Sequence, residues 1–128
     1  VMSMQTGIMG YKGHIHYHAA PCLDSYIELL KQRKEPTSKL LDELCLHIDR
    51  EIHRNYRLYP VNYIALDELN GTPAHSDKYT PEDKAMFKKY IDGQLAKIEL
   101  PNKDEEYLRK NILEMYANPT INYLKANA

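Results

Sequence analysis

Seven prolines punctuate this 128-residue chain. Proline lacks a backbone N–H and has a fixed φ, so it opens or closes helices and is kept out of central strands. Pro36 closes a first helix that begins near Ser25. That serine stands at capping-box spacing from Glu28, and Ile27, Leu29 and Leu30 follow. Lys31, Arg33 and Lys34 place positive charge at the helix C-terminus, where the backbone dipole favours it. The next helix, about 38–54, carries Leu41, Leu44, Cys45, Ile48 and Ile52 in one stripe at the helical period.

Further along, Pro60 opens a short helix that Asn70-Gly71 closes, and residues 71–79 read as a loop. Asn70-Gly71-Thr72-Pro73 is a turn after a helix rather than a phosphate loop. Thr80-Pro81-Glu82-Asp83 supplies an N-cap, a proline at the first helical position and acids in the first turn. Phe87, Tyr90, Ile91, Leu95 and Ile98 form the apolar face of that helix, and Pro101 stops it. Asn102 with Glu105 caps a last helix burying Leu108, Ile112, Met115 and Tyr116. Asn118-Pro119 is expected to end it, with a tail packing back through Ile121, Tyr123 and Leu124.

Before these helices comes GHIHYH, residues 13–18. Alternation by two puts His14, His16 and His18 on one face of a strand over 13–20, closed by Pro21. A lone strand leaves unpaired backbone groups, so its partner is either residues 1–9 or lies outside the chain. The expected fold is therefore mainly α, with four to five helices and a short N-terminal β segment. Residues 1–23 form the β segment and 24–128 the helical part of one compact unit. The chain opens VMSMQTGIMG without an initiator methionine, as a trimmed tag or a domain cut from a longer protein would.

Three histidines on one strand face are zinc-type ligands. No acid lies nearby before Asp24, and His47, His53 and His75 are scattered, so a polar strand face is the plainer reading. A second polar feature is the stripe of His47, Arg50, Arg54 and Arg57, which would extend along the 38–54 helix. It could hold an anion or face an anionic membrane surface, but Glu43 and Glu51 offer local pairing, so a solvated helix face is the favoured reading. Eleven tyrosines accompany one phenylalanine and no tryptophan, a set that favours half-buried surfaces. Tyr56, Tyr59 and Tyr63 are the candidates for an interaction surface.

Formal charge is 17 − 18 = −1, which gives no global pull toward nucleic acid. Mean hydropathy is −0.63. No apolar run approaches the roughly 18 residues of a membrane span, and no signal peptide is visible. Cys22 and Cys45 lie far apart, as in a reducing compartment rather than a disulfide scaffold. There is no G-x-S-x-G elbow, P-loop or dinucleotide turn. Asp42 with Asp49, and Glu105 with Glu106, read as exposed helix carboxylates, so no catalytic residue is assigned.

Three blocks together resemble a known family. MQTGIMGYKGHIHYHAAPC (4–22), IDREIHRNYRLYPVNYIALDEL (48–69) and LEMYANPTINYL (113–124) are similar to the C-terminal portion of certain bacterial lysophospholipid acyltransferases, relatives of 1-acylglycerol-3-phosphate acyltransferase. In that family a K-G-x-[IV]-x-[FIVY] strand ending in proline follows the catalytic half, as Lys12 to Pro21 does here. Ala19-Ala20 stands where the family often has a bulkier residue and glycine, and Cys22 replaces an aliphatic.

The resemblance implies an α/β parent fold that transfers an acyl chain from acyl-CoA or acyl carrier protein to a glycerophospholipid hydroxyl. It also implies a cytoplasmic protein, peripheral at the cytoplasmic membrane face. The family's chemistry needs a histidine followed five positions later by aspartate, and a later E-G-[TS]-R-like phosphate motif. Five positions beyond the six histidines stand Ala19, Pro21, Leu23, Ile52, Leu58 and Thr80, and no E-G-T-R occurs. The chain is thus expected to be inactive alone, to hold no cofactor, and to partner an upstream acyltransferase half as a structural, substrate-covering or docking domain. The competing expectations are a stand-alone helical module that homodimerises and a small metalloprotein built on the histidine strand.

Overall fold

Helices respect every proline but one. The computed structural model describes residues 2–11 and 13–128. It contains α1 (Met2–Met9), α2 (Asp24–Lys31), α3 (Thr37–Arg54), α4 (Pro60–Asn70), α5 (Pro81–Ala96) and α6 (Glu105–Ala126), with a 3-10 turn at Ser76–Lys78. The fold is mainly α. The expected four to five helices are six among the described residues, and the expected strand is absent from them.

Local chemistry sets the helix ends. At α5 the Thr80 hydroxyl accepts from the Asp83 N–H at 3.1 Å, and the Asp83 carboxylate accepts from the Thr80 N–H at 2.9 Å. Each member of this capping box satisfies a donor that the first turn leaves free. Pro60 opens α4, and the Asn62 Oδ1 accepts from the Tyr59 N–H at 2.9 Å. Gly71 closes α4 with φ 65°, a left-handed conformation that costs glycine nothing.

The core lies where α4 packs against α6, with α5 closing one side and α3 bearing on α6. Ile64, Ala65 and Leu66 of α4 meet Phe87, Ile91 and Leu95 of α5 and Leu113 and Ala117 of α6. Ala65 and Ala117 are fully buried, and small side chains at such a crossing bring helix axes close.

Pro119 is the exception to the proline rule. Instead of ending at Asn118-Pro119, α6 runs on to Ala126. A proline inside a helix deprives the carbonyl four residues back of its donor. Tertiary contacts offset that cost here, since Ala117 and Thr120 are buried on either side of Pro119. One residue beyond the deprived Met115 carbonyl, the Tyr116 carbonyl accepts from Asn62 Nδ2 at 2.9 Å.

At the N-terminus, residues 2–9 satisfy their own backbone as α1 and offer no edge for pairing. Residues 13–22 make no backbone–backbone hydrogen bond among the described residues, and 13–20 are exposed throughout. Period-two alternation alone does not make a strand; a ladder partner does. Lys12, which begins the K-G motif, lies outside the described residues. The α3 stripe is also only partly covered. Leu44 and Ile48 are half-buried, whereas Leu41, Cys45 and Ile52 are exposed.

Candidate functional site

Between the end of α3 and Pro60 the chain turns through Asn55, Tyr56, Arg57, Leu58 and Tyr59. The segment 14–20 crosses this turn. Together they wall an open cleft of about 360 Å³, lined by His14, His16, His18, Glu51, Asn55, Tyr56, Arg57 and Tyr59 among others. The His14 ring stacks on Tyr59 with centroids 6.3 Å apart and planes 16° from parallel. The Tyr59 hydroxyl donates to the His14 carbonyl at 3.5 Å, a long contact. Glu51 is engaged from outside the cleft by Arg54 at 3.3 Å.

The structure thus brings together residues that the sequence places in three separate groups: the histidine segment, Arg57 of the basic stripe, and two of the tyrosines. It also divides the stripe. Because α3 ends at Arg54, Arg57 leaves the helix face and joins the histidines instead. His47 stacks on Tyr26 at 4.0 Å and 17°, and with Arg50 opens onto a separate small groove. Tyr63 turns the other way, toward His75, with centroids 5.6 Å apart. His14, His16 and His18 share the cleft, yet no group of three His, Cys, Asp or Glu converges as a metal-ligand set among the described residues.

A second polar constellation escapes sequence reading. Asp67 on α4 has a side chain only 4% exposed. Its carboxylate accepts from the His75 backbone N–H at 2.9 Å and from the Tyr79 hydroxyl at 2.9 Å, and it lies 2.7 Å from His75 Nδ1. A carboxylate only accepts, so Nδ1 carries the proton. Burial alone would raise the Asp67 pKa, but the donors from His75 and Tyr79 outweigh it and hold the carboxyl below its ordinary value. These three bonds fasten the 71–79 loop to α4. The available signal was position: Asp67 falls three residues after Ile64, on the core face of an amphipathic helix.

On the far side of Gly13 lies an apolar groove of about 520 Å³, lined by Tyr11, Val61, Met86, Phe87, Tyr90 and Tyr116 among others. The Tyr116 hydroxyl donates to that of Tyr90 at 2.9 Å. Burial, reinforced by this bond, pushes the Tyr116 pKa up to about 12. No helix among the described residues is long and apolar enough to cross a membrane. Set against family models, curated proteins and solved structures, the chain matches none.

Proposed function

We propose that this chain is the C-terminal, non-catalytic part of a bacterial glycerophospholipid acyltransferase. In this reading an upstream half supplies the catalytic histidine and aspartate and takes its acyl group from acyl-CoA or acyl carrier protein. The whole protein sits at the cytoplasmic membrane face. The helical core buttresses the N-terminal segment, and residues 13–20, which make no backbone–backbone hydrogen bond among the described residues, offer their backbone donors and acceptors to the upstream half.

One observation carries the reading: the three blocks that resemble the family meet at one junction. His14 of the first block contacts Tyr59 of the second, and Asn62 of the second donates to the Tyr116 carbonyl of the third. The spacing of the histidines supports the non-catalytic assignment, since none has an acid five positions on.

Acyl transfer to a lysophospholipid by this chain, measured beside the full product of its gene, tests the proposal. Transfer by the longer protein alone is the expected result. Transfer by this chain would overturn the claim that it lacks catalytic residues. If neither transfers, the family assignment falls and a self-associating helical module takes its place.

A further inference from the structure

The cleft at the α3–α4 turn holds a cation without an internal partner. Arg54 is engaged by Glu51, the one acid in the lining among the described residues. Arg57 lines the same cleft and has neither an ion pair nor a side-chain hydrogen bond among the described residues. His14, His16 and His18 face it from the crossing segment, and Asn55 and Tyr56 add neutral polar groups. A planar guanidinium matches two oxygens of a tetrahedral oxyanion, and imidazole N–H groups suit the remaining ones. Glu51, the carboxylate in the same lining, is turned toward Arg54 at 3.3 Å rather than toward Arg57.

We propose that this cleft binds a phosphate monoester, with Arg57 as the principal ligand and the histidine segment closing over it. The cleft, at about 360 Å³, is larger than a phosphate alone. The ester's organic group therefore has room beside Ile52 and Tyr59, which also line the cleft. A transition metal on the imidazoles is the rival occupant, and the absence of a converging ligand set among the described residues disfavours it.

The test is an NMR titration of this chain, following the histidine ring resonances. The probes are glycerol 3-phosphate, inorganic phosphate, and zinc ion. Vesicles of phosphatidylcholine with and without phosphatidic acid form a separate arm, read by co-sedimentation. Saturable shifts with glycerol 3-phosphate are expected, weakened about tenfold or more by Arg57→Ala, the scale of one charge-assisted bond. Arg57 is exposed, so that variant should keep the circular dichroism of the parent. His16→Ala/His18→Ala is the second variant, also expected to weaken binding, and Lys88→Ala, which removes an exposed charge on α5, should not.

Binding of the soluble ester, or only of phosphatidic acid vesicles, supports the proposal and tells a free ligand from a lipid-borne one. No saturation at millimolar ester together with no preference for phosphatidic acid overturns it. So does equal weakening by Lys88→Ala, or ring shifts with zinc alone. The outcome is independent of acyl transfer, which is read on the full gene product, so either proposal can fail without the other.

Discussion

Replacing Asp67 with alanine should destabilise the fold by about 3 kcal/mol. The carboxylate is 4% exposed and accepts three hydrogen bonds, two from His75 and one from Tyr79. Each bond to a charged acceptor is worth about 1.5–3 kcal/mol when its partner is lost to a dry site. His75 and Tyr79 are only half-buried, so their freed donors regain some water and the sum falls well short of three full bonds. Asparagine keeps the shape. Its amide oxygen still accepts from the His75 N–H and the Tyr79 hydroxyl, while its amide nitrogen meets an Nδ1 that becomes an acceptor once the ring proton moves to Nε2. Asp67→Asn should therefore cost only about 1 kcal/mol.

Urea unfolding followed by circular dichroism reads both variants. With a slope of about 1.5 kcal/mol per molar urea, alanine lowers the midpoint by about 2 M and asparagine by less than about 1 M. The pH dependence has a definite sign. Because the folded-state pKa of Asp67 is depressed, its stabilisation is present above the unfolded value near 3.8 and disappears as pH falls through the lower folded value. The gap between wild type and Asp67→Asn should accordingly narrow in acid below that point. An alanine variant within about 0.5 kcal/mol of wild type, the scale of a neutral surface change, would refute the anchoring role.

Asn62→Ala removes the acceptor of the Tyr59 N–H and the donor to the Tyr116 carbonyl, and should lower stability by about 1–2 kcal/mol in the same assay. Thr120→Val should do the opposite: its Oγ1 is buried without a partner, so an isosteric methyl should raise the melting temperature, by about 1 kcal/mol of stability. In alkali, Tyr116 keeps its proton to about 12 in the folded protein against 10.0 for an ordinary tyrosine. The stability tied to that proton is complete below pH 10.0 and lost as pH rises toward 12, and Tyr116→Phe should remove this part of the alkaline unfolding profile.

Chemical punctuation was legible at α4 and α5, whereas Ser25 lies inside α2, which Leu23 precedes without a side-chain cap, and Asp104 rather than Asn102 caps α6 by accepting from the Tyr107 N–H. Thr80-Pro81-Glu82-Asp83 begins α5 where its capping groups predict, and the stripe from Leu41 to Ile52 marks α3 to within a residue of its start. Pro60 and Gly71 bracket α4 as their backbone preferences require. What escaped depended on distant partners. The continuation of α6 through Pro119 is decided by burial of Ala117 and Thr120 against other helices, which no local pattern records. The alternation of His14, His16 and His18 misleads for the converse reason, because their pattern is strand-like and no ladder partner pairs with them among the described residues. In the candidate site the residue types were visible, but not their grouping. Arg57 reaches the histidines only because α3 stops at Arg54, and helix ends are the least legible feature of a periodic stretch.

Among the described residues, Leu30 is the only one buried before Ile64. That asymmetry divides the chain into two kinds of mutational territory. Substitutions at Ile64, Phe87, Ile91 or Ala117 are registered by the folding equilibrium wherever the protein is placed. Substitutions at Met4, Ile8, Tyr11 or Tyr17, all largely exposed, pass almost unnoticed by that equilibrium. A saturation scan selected for abundance would thus leave the first twenty residues nearly blank. Selected for cellular function, any intolerance there would trace the outline of whatever this segment touches.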